Sequence, residues 1–124
     1  MAKLYFHYAT MDAGKSTMLL QAAYNYRDRG MTTMLFVAGH YRKGDQGYIS
    51  SRIGLESAAE MFRDGDDLFE RVREHAERTT VHCVFVDEAQ FLTEDQVWQL
   101  ARISDRLGIP VMSYGLRTDF QGNL

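Results

Sequence analysis

The run Gly14-Lys15-Ser16-Thr17 lies between an apolar stretch at residues 4–9 and an amphipathic one at residues 18–29. A strand that turns through glycine straight into a helix aims several backbone N–H groups, and the positive end of that helix, at one point where a polyphosphate can sit. Such a turn belongs to strand-then-helix architectures, α/β rather than all-α or all-β. In this pattern Lys15 reaches the β- and γ-phosphates of a nucleoside triphosphate and the Ser16 hydroxyl ligates Mg2+. The helix terminus alone supplies at most about 2 kcal/mol, whereas micromolar binding needs about 8 kcal/mol. Backbone cradle, lysine and metal therefore have to act together. The full pattern asks for a first glycine where this chain has Ala9, followed by Thr10, Met11, Asp12 and Ala13. Taken alone, the run also reads as a helix start capped by glycine, so the reading needs support from elsewhere in the chain.

That support is Val81-His82-Cys83-Val84-Phe85-Val86-Asp87-Glu88, an almost continuous apolar strand ending in two carboxylates. Strands of this kind lie buried in parallel sheets. Ligands of open α/β sheets gather at the carboxyl ends of the strands, which puts Asp87 and Glu88 on the same rim as the phosphate turn. Successive strand residues point to opposite faces. Asp87 is then expected to hold Mg2+ through water, and Glu88 to face a second substrate as a general base. The plainer alternative, that both carboxylates merely open the loop before Thr93, loses force once the phosphate turn is considered with them.

The 124 residues are 45% hydrophobic and 25% charged, which suits one cytoplasmic enzyme domain, and no apolar run is long enough to span a membrane. A net charge of −3 argues against a large footprint on nucleic acid. Cys83, the single cysteine, falls inside the buried strand and reads as a core residue, leaving no disulfide or cysteine-rich zinc site within the chain. Met18, Leu19, Ala22, Ala23 and Tyr26 recur at helical spacing, with Gly30 placed for a left-handed cap and Arg27 and Arg29 complementing the helix end. Residues 32–38 read as a second strand. Residues 39–50 are polar, glycine-rich and aperiodic, and are expected to be a mobile loop. Asp66 or Asp67 caps a helix whose inner face is Leu68, Phe69, Val72 and Ala76. Thr93 and Gln96 form a capping box before a helix with Val97, Leu100, Ala101, Ser104 and Leu107 on one face, which stops at Gly108 ahead of Pro110. Residues 109–114 make the last strand. Strands alternating with helices predict parallel βαβ units with right-handed crossovers, without internal repeats.

Four segments in this order, YATMDAGKST (residues 8–17), SSRIGL (50–55), VDEAQFL (86–92) and YGLRTDF (114–120), resemble type II thymidine kinase, most closely its bacterial members. The resemblance covers essentially the whole chain. It implies a three-layer α/β/α, parallel-sheet P-loop NTPase core of RecA-like type. It also implies transfer of the γ-phosphoryl group of ATP to the 5′-hydroxyl of thymidine, in pyrimidine deoxynucleoside salvage. The implied ATP-binding residues are Ala9, Thr10, Met11, Asp12, Ala13, Gly14, Lys15, Ser16 and Thr17, with Asp87, Glu88, Ala89 and Gln90. Ser16 and Asp87 would serve Mg2+, and Glu88 matches the family's catalytic base. Phe91, Leu116 and Phe120 match positions lining the thymine pocket, with Gln90 and Met11 also placed to touch substrate. Arg52 and Ser51 match a segment near the site without a derived role, and Arg117 is read as satisfying Asp119.

Two departures accompany the resemblance. Relatives carry one or two acidic residues and then a catalytic arginine after the second strand, where this chain has Gly39-His40-Tyr41-Arg42-Lys43-Gly44, so Arg42 or Lys43 takes that role. Relatives also continue into a subdomain with structural Zn2+ and a lasso loop, whose counterparts are not in these 124 residues. The implied assembly is a homotetramer, to which Trp98 could contribute, and the implied feedback inhibitor is thymidine triphosphate. Two other classes compete with the kinase: a nucleotide-binding, partner-dependent half that does not turn substrate over, and a RecA-like ATPase in which Glu88 orients water. An adenylate-kinase-like enzyme fits less well, because no arginine-rich lid segment is present.

Overall fold

Two strands explain most of the packing. Residues Thr33–Ala38 (β2) and Cys83–Val86 (β6) are buried almost throughout, and their side chains alternate between two cores. Met34, Phe36, Ala38, Val84 and Val86 join one core, while Leu35, Val37, Cys83 and Phe85 join the other. A strand buried on both faces needs a helical layer on each side. The computed structural model, which describes residues 3–9, 14–39, 42–43 and 46–116, has that arrangement.

The helix Lys15–Asp28 (α1) places Leu19, Leu20 and Ala23 in the second core. The helices Leu68–Arg78 (α2) and Glu94–Arg102 (α3) place Leu68, Val72 and Leu100 in the first. The remaining strands are Leu4–Ala9 (β1), Arg42–Lys43 (β3), Gln46–Ser50 (β4), Glu56–Phe62 (β5) and Val111–Leu116 (β7). The sheet runs in the order β1-β7-β6-β2-β5-β4-β3. The first five strands of that order are mutually parallel, and β4 and β3 are added antiparallel. The three-layer α/β/α expectation holds.

The expectation of a mobile loop over residues 39–50 fails at 42–43 and 46–50, which form strands β3 and β4. β4 pairs with β5 from Gly47↔Ala59 to Ser50↔Glu56, and β5 itself, absent from the sequence reading, lies between β4 and β2. Glu, Ala and Met dominate ESAAEMF and carry little strand signal, so pairing on both edges decides its conformation. Gly47 is required there, because a Cβ would meet the Ala59 carbonyl oxygen at 2.6 Å. Ser51 closes the hairpin: its hydroxyl accepts from the Leu55 N–H, and Gly54 turns with φ of 91°. The crossover from β2 to β5 is thus built from strands rather than a helix.

Helix boundaries follow local chemistry. Asp67 caps α2 by accepting from the Glu70 N–H, whereas Asp66 accepts from the Arg63 N–H. The Thr93–Gln96 capping box is complete. Gly30 and Gly108 have positive φ at the exits of α1 and of the turn that follows α3, whereas α2 ends at Thr79 in an extended conformation. Two predicted faces shift. Met18 is 54% exposed and Leu20 takes the core position, because α1 turns its face toward β2 and β6. After α3 the chain widens into a π-helical turn, Ile103–Leu107, which rotates Ile103 and Ser104 inward and leaves Val97 and Ala101 only half-buried.

Candidate active site

Gly14 enters α1 with φ of 88° and contributes no side-chain cap, and no acidic residue lies in the first turn. The first N–H groups of the helix are therefore left for an anion. Ala9 ends the neighbouring strand β1, and Thr17 is half-buried on α1. Thr10, Met11, Asp12 and Ala13 lie outside the described residues.

Lys15, the first residue of α1, is buried, and its ammonium donates to Asp87 Oδ1 at 2.9 Å and to Glu88 Oε2 at 2.7 Å. Ser16 Oγ donates to Asp87 Oδ2 at 2.8 Å. Burial pulls the Lys15 ammonium toward a lower pKa, but the Asp87 charge and the hydrogen bonds to both carboxylates outweigh it and raise the value. The pairing of Ser16 hydroxyl and Asp87 carboxylate is a set of hard oxygen donors suited to Mg2+, which keeps most of its other ligands as water and phosphate oxygens. Among the described residues no group of three His, Cys, Asp or Glu side chains is placed to hold a metal by itself. Cys83 is fully buried in β6, and burial pushes its thiol up to about 11.

The two carboxylates do not part company as strand alternation predicted. β6 ends at Val86, and Glu88 turns back with φ of 58°, the one non-glycine residue with positive φ among those described. This left-handed step swings the Glu88 carboxylate to the same side as Asp87, where both meet Lys15. A backbone conformation that costs about 1–3 kcal/mol persists where the surroundings hold it, and here the lysine does so. The following 3-10 turn, Ala89–Phe91, buries Ala89 and brings Gln90 beneath the rim. Gln90 Nε2 donates to Glu88 Oε1 at 2.7 Å, and Gln90 Oε1 accepts from the Leu116 N–H at 3.0 Å.

Phe91 is 43% exposed and lines a cavity of about 820 Å3 with Ala38, Gly39, Phe62, Arg63, Asp64 and Gly65, at the carboxyl ends of β2 and β5. The 63–65 segment was not found from sequence, because it follows the unrecognised strand β5. Leu116 ends β7 opposite Ala9. Arg42 pairs through its backbone with Gly47. Its side chain, and Phe120, Arg117 and Asp119, lie outside what is described. Gly14, Lys15, Ser16, Asp87, Glu88, Gln90 and Leu116 thus converge on one rim, where β1, β6 and β7 end.

Residues 2–124 match the family described as thymidine kinase. This chain belongs to the thymidine kinase family. It is 84% identical over 124 residues to a thymidine kinase of Mesorhizobium japonicum, aligning all of this chain with 61% of that protein. It is 64% identical over 127 residues to a thymidine kinase of Rhizobium meliloti and 60% identical over 124 residues to one of Agrobacterium fabrum, covering 65% and 64% of them. The chain therefore spans less than two thirds of the length of these thymidine kinases.

Proposed function

We propose that this chain carries the catalytic core of an ATP-dependent thymidine kinase, which makes thymidine monophosphate and ADP. The observation that supports it most is the meeting of Lys15, Ser16, Asp87 and Glu88 at the N-terminus of α1. In this reading the triphosphate lies against the first turn of α1, and its oxygens compete with Asp87 and Glu88 for the Lys15 ammonium. Ser16 and Asp87 would hold Mg2+, which would supply charge neutralisation for the phosphoryl transfer. The 5′-oxygen of thymidine attacks the γ-phosphorus, the bond to the β–γ bridging oxygen breaks with its electron pair leaving on ADP, and the hydroxyl proton passes to Glu88. An ionised carboxylate offers about four acceptor sites, so Glu88 can take this proton while bonded to Gln90.

Arg42, with Lys43 as the other candidate, would stabilise the transferring group. Phe91, Leu116, Phe120 and Met11 would wall the thymine. A methyl group in such a pocket is worth only about 1–3 kcal/mol, so discrimination against deoxyuridine is modest. Homotetramer formation, inhibition by thymidine triphosphate and a cytoplasmic location belong to the same proposal. No helix among the described residues is long and apolar enough to cross a membrane, and Trp98, 63% exposed on α3, is available to an interface.

A second reading is a nucleotide-binding half of such a kinase that depends on a partner for turnover. The test is thymidine monophosphate formation with Mg-ATP and thymidine, beside Glu88→Gln and beside thymidine omitted. The kinase reading expects product that falls about 10²- to 10⁴-fold in Glu88→Gln. A folded, ATP-binding chain that forms product only when the rest of a relative is supplied supports the second reading. ADP release without thymidine points to an ATPase.

A further inference from the structure

We infer that Gln90 is the positioning residue for the Glu88 carboxylate, fastening it to the end of β7. The inference rests on the reading of Glu88 as the base. Glu88 Oε2 is held by Lys15 at 2.7 Å, and Oε1 by Gln90 Nε2 at 2.7 Å. When phosphate oxygens draw Lys15 away, Gln90 is the remaining side-chain donor on that carboxylate among the described residues.

The other end of Gln90 is equally committed. Its Oε1 accepts from the Leu116 N–H at 3.0 Å, so the carboxamide spans from the base to the last residue of β7. The orientation of the amide follows from its partners, since a carboxylate needs a donor and an N–H needs an acceptor. A carboxamide offers both at the end of one side chain. Glutamate would set two carboxylates against each other, and asparagine is one methylene too short to span the gap. Gly115 makes the approach possible, because a Cβ there would lie 2.9 Å from Gln90 Oε1, 3.0 Å from the Gln90 backbone nitrogen and 3.0 Å from Tyr8 Cε1. Glu88, whose backbone is left-handed, thus has its carboxylate aimed by a strut anchored on a different strand.

The experiment compares Gln90→Met, which keeps the length and volume but neither hydrogen bond, with Gln90→Glu and with Glu88→Gln. Loss of a hydrogen bond to a charged group predicts that Gln90→Met lowers kcat about ten- to a hundredfold, with KM for ATP and thymidine little changed. Because Gln90 acts through Glu88, the double variant Glu88→Gln with Gln90→Met is expected to be no slower than Glu88→Gln alone. Gln90→Glu, which sets a second carboxylate against Glu88, is expected to lower kcat at least as far as Gln90→Met. Raised KM at unchanged kcat, or multiplied losses in the double variant, would overturn the inference. Activity untouched by Glu88→Gln would instead defeat the reading of Glu88. Should the chain alone form no product, amide hydrogen exchange at Leu116 decides. Faster exchange in Gln90→Met than in the native protein supports the strut, and equal exchange overturns it.

Discussion

Lys15, Asp87 and Glu88 form a buried group with one positive and two negative charges. Removing one partner of a buried pair leaves charge uncompensated, which costs about 3–5 kcal/mol. Lys15→Met is therefore expected to lower unfolding free energy on that scale in urea, even though Met fits the space. The sign of the pH dependence follows from the raised Lys15 value. A base raised on folding contributes fully below its unfolded pKa, about 10.4, and its contribution fades as pH rises through the folded value. The gap between native and Lys15→Met protein should hold steady from pH 7 to 9 and narrow above pH 10.5. A gap that narrows in the neutral range would contradict this account. Glu88 shows why single residues matter at this site: one left-handed step reverses the direction predicted for its side chain.

At the scale of elements, the α3 cap and strand β6 make separable claims. Gln96 completes the Thr93 capping box and, fully buried, also donates to the Arg63 carbonyl at 2.7 Å, so the start of α3 holds the loop that lines the cavity beside Phe91. Thr93→Ala is expected to cost about 1 kcal/mol, a fall in Tm of about 4 °C. Calorimetry reads it, and an unchanged Tm would show that the cap is redundant. In β6, burial holds the Cys83 thiol up to about 11 against an ordinary 9.0. The unfolded chain ionises first, so the folded state keeps full stability below pH 9 and loses roughly 2 kcal/mol between pH 9 and 11. Cys83→Ala removes that portion of the alkaline loss; equal slopes in both proteins would place the thiol in contact with water.

For the whole molecule, the rim where β1, β6 and β7 end gathers groups from three strands and from α1. Binding there couples to global stability. A nonhydrolysable ATP analogue with Mg2+ at about 100 times its Kd should add about 2.7 kcal/mol and raise Tm, while Lys15→Met should show little or no rise. A full rise in that variant would place the nucleotide elsewhere.

Much of this was written in local sequence. The glycine turn into α1, the apolar strand before Asp87, a cap at Asp66 or Asp67 and the Thr93–Gln96 box all depend on neighbours within four residues, so a linear reading finds them. The family resemblance was legible for the same reason, as its motifs are contiguous. What needed tertiary structure was pairing over distance. ESAAEMF becomes β5 only because β2 and β4 flank it, and Gly115 is explained only by Gln90 lying against it from another element. Strand β6 determined where Asp87 and Glu88 stand along the chain. Which way they face was decided by Lys15, more than seventy residues away in sequence, because a buried ammonium draws both carboxylates to itself.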